Sequence, residues 1–356
     1  MDERTRTVYE AAAQEWVAKR KPLHLDSVEV LADRATGPSV DLGCGPGWHT
    51  AALPTPVIAL DVAMAMLDLV PPRAPGALRV QADLEALPFR REALGAAWAR
   101  NSYVHLPRVA TPLALADLHR SMKPGGHATI AFFLGDDEGR DIFDGKEFAG
   151  RYFSRWDLDQ LIDMTLGAGF ELDELEVRTK SAKQDEVHLD VIRGRTLPDV
   201  VGPGMRVLVC GLNPSLYAAD AAVGFARPGN RFWPAAIGAG LVSVDRDPWH
   251  ALRHHGIGFT DLVKRATVGA AELSTEEYRA GFARLERLVA WLEPGVVAFV
   301  GLAGWRAAVD KRAVAGPQPR GVGGRPVYVM PSSSGLNARS SVDSLADHLR
   351  AAAALA

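Results

Sequence analysis

The segment GLNPSLYAADAAVGFARPGNRFW, at 211–233, contains the amide of Asn213 and, 12 to 20 residues later in the sequence, the aromatic rings of Phe225, Phe232 and Trp233. Its Asn213 follows the apolar run RVLVC, which predicts a buried strand that ends at the carboxyl edge of a sheet, the usual place for a site. A neutral amide can hold a hydrogen-bonded ligand, and the ring of Phe225 can stack on a flat one. Singly, Asn-Pro is a common turn and aromatic residues are core by default. Asn213 and Phe225 in one segment are therefore more specific evidence for a binding site than either residue is alone.

A second segment of this kind is VYVMPSSSGLNARS, at 327–340, which predicts a strand followed by a loop rich in proline, serine and glycine. A serine cluster alone is often just a polar loop. A further segment, GIGFTDLVKR at 256–265, lies between the first two. Ordered segments of this kind in one half of the chain are more specific than any one of them.

The first half has a different motif, the glycine-rich segment VDLGCGPGWHT at 40–50. We predict a strand, a loop through the glycines of 43–47 and then a helix, because glycine permits a tight turn and a close backbone approach to a ligand. Asp61 ends the next predicted strand, where a carboxylate can accept hydrogen bonds from both hydroxyls of a ribose. Asp83 ends the strand after that, so the sequence predicts a nucleotide-type pocket at one sheet edge.

Alternating strands and helices must position these motifs. In the first half, the predicted strands are 39–43, 56–62, 78–84, 96–101 and 127–133, with helices at 63–70 and 111–122 and a closing antiparallel pair at 171–180 and 186–195. In the second half, the predicted strands are 206–214, 296–301 and 326–331. A charged helix is predicted at 275–293, and most of its charges, among which Arg284 is one, are expected on a solvated face. Strands alternating with helices indicate doubly wound α/β sheets. The halves share no repeat, so we expect two unlike domains.

The segment TLPDVVGPGM, which contains two prolines and two glycines, predicts the boundary between the halves. We therefore expect a first domain at 1–195, a linker at 196–204 and a second domain at 205–356. Residues 1–199 carry a net charge of −8 and residues 200–356 a net charge of +5. This asymmetry makes the second domain the better candidate for a polyanion partner.

The first domain resembles the class I S-adenosylmethionine-dependent methyltransferases, type 11-like, across about residues 1–195. The family's first motif, (V/L)-D-x-G-x-G-x-G, is matched by VDLGCGPG, and MKPGG at 122–126 matches its usual turn before the fifth strand. The resemblance implies a Rossmann-like sheet that binds S-adenosylmethionine and transfers its methyl group to an acceptor that the sequence does not identify. The implied cofactor contacts are Asp41, Gly43, Gly45, Gly47, Asp61, Asp83, Leu84 and Asn101.

Within that assignment, Asp41 would face the methionine amine, Asp61 the ribose, and Asp83 with Leu84 the adenine. Methyl transfer depends mainly on alignment, so few side chains need take part chemically. His105 and Tyr103 are candidates for the acceptor side, with packing or a role beside the adenine as the alternative for both.

The second domain, about residues 203–350, resembles the mismatch-specific uracil/thymine DNA glycosylases of the uracil-DNA glycosylase superfamily. Its three ordered motifs stand at the family's spacings, and 256–265 adds a fourth. The resemblance implies an α/β sandwich that hydrolyses the N-glycosidic bond of a mispaired uracil, or of thymine or a modified pyrimidine, in duplex DNA without a cofactor. Asn213 would position the water, and the implied base contacts are Phe225, Gly211, Leu212, Ser215 and Asn230, with structural support of the pocket as the alternative for Asn230.

The loop after 331 would then contact the duplex. Leu336 would fill the space that the flipped nucleotide leaves, Gly335 would approach the orphaned guanine, and Arg339 would contact guanine or phosphate. The serines expected at phosphates are Ser332, Ser333 and Ser334. Ser215 stands where the family commonly has glycine, and the last motif lacks a histidine, so uracil and thymine both stay open as substrates.

Composition narrows the class of protein. With 47% hydrophobic and 23% charged residues, disorder, collagen and coiled coil are excluded. Only Cys44 and Cys210 are present, which excludes a disulfide framework and a cysteine-rich metal site. The iron–sulfur branch of the superfamily, which needs four cysteines, is excluded as well. We assign no metal. The charged start and the absence of an apolar run near ~18 residues predict a cytoplasmic protein with no membrane partner.

Three readings remain open. In the first, the chain is bifunctional, a DNA glycosylase joined to an active methyltransferase. In the second, the glycosylase carries an inactive domain that senses S-adenosylmethionine or docks a protein. In the third, an active methyltransferase is tethered to a domain that only binds DNA. Asn213 and Phe225 argue against the third reading, and the intact glycine loop argues against the second.

Overall fold

The computed structural model describes residues 1–143, 148–181, 184–337 and 339–356. The chain divides into two compact units. Unit 1 is Met1–Leu166 with Phe170–Gly194, and unit 2 is Arg195–Ala356 with Gly167–Gly169.

Unit 1 is built on one large sheet with helices beside it. Its strands are β1 (Ser39–Leu42), β2 (Val57–Asp61), β3 (Leu78–Gln81), β4 (Leu94–Arg100), β5 (Met122–Leu134), β6 (Glu138–Arg140), β7 (Tyr152–Trp156), β8 (Phe170–Ser181) and β9 (Gln184–Arg193). Its helices are α1 (Glu3–Lys19), α2 (Leu25–Arg34), α3 (Met64–Leu67), α4 (Thr111–Ser121) and α5 (Leu158–Gly167). The Asp2 carboxylate caps α1 by accepting from the amide of Thr5.

The sheet order in unit 1 explains how the motifs meet. Strands run in the order β3-β2-β1-β4-β5, all parallel, so the carboxyl ends of β1, β2 and β4 lie side by side. β9 lies antiparallel to β5 and pairs with β8, which confirms the predicted closing pair. β7 pairs in parallel with the last residues of β5, and β6 pairs antiparallel with β7. The predicted α/β architecture is confirmed.

The helix predicted directly after the glycine loop is not formed. Residues 43–49 follow a series of turns, and only one 3₁₀ turn, Thr50–Ala52, comes before β2. Pro54 and Pro56 follow at once. Proline lacks a backbone N–H and disfavours helical backbone in the residue before it, so no longer helix fits in this stretch.

Unit 2 has a smaller sheet. Its strands are β10 (Val207–Gly211), β11 (Ile257–Asp261), β12 (Val296–Val300), β13 (Gly316–Pro317) and β14 (Val327–Met330). Its helices are α6 (Leu216–Ala221), α7 (Phe232–Gly238), α8 (Pro248–His255), α9 (Thr275–Leu292), α10 (Leu302–Ala308) and α11 (Val342–Ala353). The order is β11-β10-β12-β14-β13, parallel except for β13. The central strands β10, β12 and β14 are buried throughout, as expected when helices cover both faces.

The segment 196–204, predicted as a linker, instead packs into unit 2. Val201 is fully buried, and the backbones of Val200 and Phe259 exchange two hydrogen bonds of 2.9 Å. Asp199 is buried and binds Lys264 and Arg284 at 2.7 Å each. Arg284 is therefore also buried, not on the solvated face expected for α9. Within the described residues, no helix is both long and apolar enough to cross a membrane.

Candidate functional site

In unit 2, the carboxyl ends of the parallel strands bring the second-half motifs together. Gly211, at the end of β10, is in register with Asp261 at the end of β11. A Cβ atom on Gly211 would lie 2.2 Å from Asp261 Oδ1 and 3.5 Å from Phe225 Cζ. Only glycine fits there, and its small size lets the Phe225 ring and the Asp261 carboxylate reach the strand end from which Asn213 follows.

The Asn213 amide is held in one orientation. Its Nδ2 donates to the carbonyls of Pro214 and Arg265, at 3.2 and 3.0 Å, and to Thr267 Oγ1 at 2.8 Å. Because a carbonyl can only accept, these partners fix which end of the amide is nitrogen. Among the described residues nothing donates to Asn213 Oδ1, so this oxygen is the end left to accept a hydrogen bond from a water or a ligand.

Phe225 is held in an unusual backbone conformation. Its φ is 59°, in the left-handed region, which costs a non-glycine residue energy and occurs most often at functional sites. Its ring stacks on Phe232, with centroids 4.3 Å apart and planes 24° from parallel. Trp233 Nε1 donates to the carbonyl of Gly224 at 2.8 Å and so fixes the preceding residue. The ring is only half-buried, so part of it stays open to a ligand.

Arg231 organises the loop after β14, a role that the sequence analysis did not assign. Its backbone amide donates to the carbonyl of Ser333 at 2.9 Å. Its guanidinium binds the carbonyls of Ser334, at 2.7 Å, and of Asn337 and Ser340. The loop is thereby fixed beside 227–230, and Leu336 at its tip is 92% exposed. An apolar side chain presented to solvent in this way fits the predicted insertion.

Some predicted contacts are used inside the protein instead. Ser333 is only 2% exposed, so its hydroxyl is not presented to a phosphate. Ser215 caps α6 by accepting from the amide of Ala218. Leu212 packs beside α10, since a Cβ atom on Gly304 would lie 3.0 Å from its Cδ1. Asn230 Oδ1 accepts from the amide of Phe232 at the start of α7, which favours the supporting role for Asn230.

The remaining loop residues stay accessible. Ser332 and Ser334 accept hydrogen bonds from loop amides, which leaves their hydroxyl protons free to donate. Gly335, Leu336 and Arg339 are exposed.

The Asp261 carboxylate carries an electrostatic penalty. Burial raises its pKa to about 6, and Asp199 adds to this effect, whereas Lys264 and Arg284 oppose it. No group of the described chain donates a hydrogen bond to this carboxylate. Above about pH 6 the folded protein therefore holds a poorly solvated negative charge beside Phe225.

Asp261→Asn is expected to stabilise unit 2 at neutral pH and not at acidic pH. The folded pKa of Asp261 lies above the ordinary value of 3.8, so the folded state keeps this proton to higher pH than the unfolded state does. The stability of the wild type relative to the variant therefore falls as the pH rises from about 4 to 6, by ~3 kcal/mol at most, because each pKa unit corresponds to ~1.4 kcal/mol. Urea unfolding of both proteins across this range measures the difference. A difference that does not change with pH would contradict the assigned penalty.

In unit 1, a cavity of about 490 Å³ opens at the carboxyl ends of β1, β2 and β4. The predicted cofactor residues that line it are Gly43, Gly45, Asp61, Leu84 and Asn101. A Cβ atom on Gly43 would lie 2.6 Å from Ser102 Cβ, whereas one on Gly45 would meet nothing within 4 Å. Gly43 is therefore required by packing, and Gly45 leaves open space at the loop.

Asp61 joins the loop to the neighbouring strand. Its Oδ2 accepts from the amide of Gly45 and its Oδ1 from the amide of Ala63, both at 2.9 Å. Burial raises the pKa of this carboxyl to about 6, and these backbone donors limit the rise. Each oxygen keeps acceptor capacity for a ligand hydroxyl.

The structure does not bring every predicted cofactor residue to the cavity. Asp41 is buried and its Oδ2 accepts from Thr50 Oγ1 at 2.6 Å, with burial raising its pKa to about 7. Gly47 faces Val70, whose Cγ1 would lie 3.1 Å from an added Cβ. The Asp83 carboxylate binds the amino group of Met1 at 2.5 Å. None of these three residues lines the cavity.

Asn101 belongs to a polar network that the sequence analysis missed. Its Nδ2 donates to Glu186 Oε2 at 3.1 Å, and Arg100 Nε donates to Glu186 Oε1 at the same distance. His24, Glu186 and His188 offer ligand atoms within 4.8 Å of one another, the kind of group that could hold a metal ion. Arg100 and Asn101 already bind the carboxylate, whereas Asn101 Oδ1 and His188 Nδ1 are buried without a hydrogen-bond partner among the described residues.

His105 and Tyr103 differ in their surroundings. Tyr103 is fully buried outside the cavity wall, so the packing alternative holds for it. His105 lines the cavity, and its Nδ1 bonds the carbonyl of Tyr152 at 2.7 Å. Its Nε2 lies 2.8 Å from the hydroxyl of Tyr9 on α1. Because Nδ1 must be the donor to a carbonyl, Nε2 accepts from Tyr9. Burial lowers the pKa of His105 to about 4, so the ring is neutral near pH 7.

Comparison with known proteins assigns each unit. Residues 40–130 match the family model described as a methyltransferase domain, and residues 198–356 match that of the uracil DNA glycosylase superfamily. The second match begins inside the segment that packs into unit 2.

Solved structures similar to this chain include S-adenosylmethionine-dependent methyltransferases from Mesorhizobium loti and Methanosarcina mazei. The first is 16% identical, with 47% of this chain and 96% of that chain covered and a TM-score of 0.39. The second is 15% identical, with 46% and 96% covered and a TM-score of 0.39. The 1,6-didemethyltoxoflavin-N1-methyltransferase of Burkholderia thailandensis is 16% identical, with 53% and 87% covered and a TM-score of 0.42. From the family matches, the chain joins a methyltransferase domain to a domain of the uracil DNA glycosylase superfamily.

Proposed function

We propose that unit 2 is a monofunctional DNA glycosylase that removes mispaired uracil from duplex DNA. The observation that carries the proposal is the fixed Asn213 amide. Its Oδ1 accepts no hydrogen bond from the described residues, and Asn213 follows the strand end that the Phe225 ring reaches at Gly211. A base inside a duplex must leave the stack before its glycosidic bond can be reached. The Phe225 ring then stacks on the flipped pyrimidine, a contact worth ~1–3 kcal/mol.

Asn213 supplies position, not proton abstraction. Its Oδ1 accepts a hydrogen bond from a water and aims that water at C1′ of the deoxyribose. The glycosidic electrons leave with the uracil, and the proton that the water loses when it bonds to C1′ passes to solvent. Uracil is a fair leaving group, so bond cleavage can run ahead of water attack. A neutral amide then suffices where a carboxylate base would make a faster enzyme. This chemistry requires no cofactor in unit 2.

Duplex binding is assigned to the loop that Arg231 fixes. The exposed Leu336 fills the gap in the stack, as apolar side chains do in other kinked duplexes. Arg339 and the hydroxyls of Ser332 and Ser334 contact the backbone or the orphaned guanine. The net positive charge of 200–356 favours this partner.

An excision assay tests this function. Duplexes with one G·U, G·T, A·U or G·C pair are incubated with the full chain and then cleaved with alkali. We expect cutting of the G·U strand and none of the G·C duplex, and the G·T lane decides whether thymine is accepted. If the G·U strand stays intact while the protein binds an abasic-site duplex, the domain binds DNA without cutting it.

We infer a second activity for unit 1, transfer of a methyl group from S-adenosylmethionine. The residues fit this cofactor, since Gly45 leaves open space at the loop, Asp61 keeps acceptor capacity for a ribose, and Leu84 gives an apolar wall. When bound, the cofactor supplies an electrophilic methyl group. The chain itself holds and orients the two partners and excludes water.

Asp61→Ala is expected to weaken S-adenosylhomocysteine binding roughly 30-fold or more, since hydrogen bonds to a charged group contribute ~1.5–3 kcal/mol each. Because the pKa of Asp61 is about 6, wild-type affinity should also fall as the pH drops below that value. Calorimetry measures both effects. Asp68→Ala, which removes a surface ion pair with Arg79, is the matched control. Equal binding by the wild type and Asp61→Ala would remove this assignment.

A further inference from the structure

We propose that the methyl acceptor of unit 1 is a planar aromatic molecule that bears a carboxylate, and that Arg151 binds this carboxylate. The inference rests on the proposed methyltransferase function and goes beyond it by naming the acceptor class. It depends on the cavity wall formed by Tyr9 and Trp16 of α1, by Phe148 and Arg151 before β7, and by Phe153 of β7.

This wall is aromatic. The guanidinium carbon of Arg151 lies 4.9 Å from the ring centroid of Phe153, 5.4 Å from that of Trp16 and 5.7 Å from that of Phe148. All of these side chains line the cavity. Aromatic walls bind flat rings through stacked or edge-to-face contacts. The shape and chemistry of this end therefore favour a planar aromatic ligand over a flexible aliphatic one.

Arg151 has donors to spare. Its Nε donates to the carbonyl of Phe148 at 3.0 Å and its Nη1 to the hydroxyl of Tyr9 at 3.1 Å. A guanidinium has five N–H donors, and no carboxylate of the described residues forms an ion pair with this one. A partly buried cation that lies in a cavity and has no anion partner among the described residues is well suited to bind an anion.

Other polar groups on this wall do not compete for the role. His105 is neutral, and its Nε2 is already used by Tyr9. Asp141 Oδ1 accepts from the amide of Gly150 at 2.5 Å. Arg20, which also lies over the Trp16 ring, is exposed at the end of α1. One partly buried guanidinium matches a planar monoanion, because a dianion would cost more to desolvate than one cation offsets.

The site is also built from different elements than the cofactor loop. Gly45 lies in the loop after β1, and Asp61 is the last residue of β2. Arg151 immediately precedes β7. Removal of the Arg151 charge should therefore affect the acceptor and spare the cofactor.

Calorimetry on the full chain saturated with S-adenosylhomocysteine tests the inference. The probes are salicylate, its neutral amide salicylamide, phenyl phosphate and the non-planar cyclohexanecarboxylate. We expect salicylate to bind at least tenfold tighter than each of the others. Arg151→Met should weaken salicylate binding at least tenfold and change salicylamide binding by less than twofold. The affinity for S-adenosylhomocysteine should not change. Arg90→Met, at an exposed arginine outside the cavity, should match the wild type, and Arg151→Lys should recover part of the affinity.

The contrary outcomes are distinct. Salicylate binding no tighter than salicylamide binding would overturn the proposal while the cofactor site stands. If phenyl phosphate binds more tightly than salicylate, the anionic group of the acceptor is a phosphate and not a carboxylate. Loss of S-adenosylhomocysteine binding in Arg151→Met would assign this arginine to the cofactor. If the wild type does not bind S-adenosylhomocysteine at all, the proposed methyltransferase function fails as well.

Discussion

Asn213→Ala is expected to slow uracil excision from a G·U duplex by about 10²-fold, the loss typical when a reacting group is no longer held in position. The reason is geometric. Thr267 and two backbone carbonyls hold Nδ2, so the amide presents Oδ1 as the acceptor for the attacking water. Single-turnover cleavage measures the loss. Affinity for an abasic-site duplex should not change, because Asn213 is assigned to water and not to DNA.

Two further variants separate position from chemistry. Thr267→Val removes one acceptor of Nδ2 at nearly constant volume and should cost on the order of tenfold in the same assay. Asn213→Asp should not raise the rate, because its carboxylate would face the carbonyls of Pro214 and Arg265, and repulsion would turn it away. Excision by Asn213→Ala at the wild-type rate would refute the assigned role.

Asp199→Asn is expected to destabilise unit 2 by ~3–5 kcal/mol, since it removes the buried carboxylate that binds both the buried Arg284 and the half-buried Lys264. Although burial favours a higher value, these two cations keep the pKa of Asp199 below its ordinary value. The stabilising contribution of Asp199 is therefore full at neutral pH and is lost only when acid protonates the carboxyl. Hydrogen exchange in β10 and β12 measures the free energy of opening for this unit.

The matched control is Asp220→Asn. Asp220 pairs with Arg195 at 2.6 Å, but the two side chains are 54% and 51% exposed, and exposed pairs contribute less than ~1 kcal/mol. If both variants lose the same protection, the Asp199 network is no more than a surface ion pair. A larger loss for Asp199→Asn supports the assignment of 196–204 to the folded unit.

The linker and helix predictions failed for identifiable reasons. Two prolines and two glycines at 196–205 are typical of a connection, yet buried valines and the Asp199 ion pairs fold this segment into unit 2. The pattern of α9 places Arg284 among exposed charges, but a helix position alone does not reveal a buried partner 85 residues away. The glycine loop resembled a strand–helix turn, and the prolines that follow it limited the helix to one 3₁₀ turn.

Local sequence patterns were enough to predict the two α/β units, the strands that end at each motif and the glycine loop, because apolar periodicity and turn residues act over a few neighbouring positions. Contacts between distant segments set the orientation of Asn213, through Thr267 54 residues away, and the hydrogen bonds of Arg231 to a loop more than 100 residues away. They also placed Arg151 among the rings of α1 and of the residues before and within β7. Such pairs depend on which faces meet when sheets and helices pack, and the pattern of one segment does not contain its distant partner.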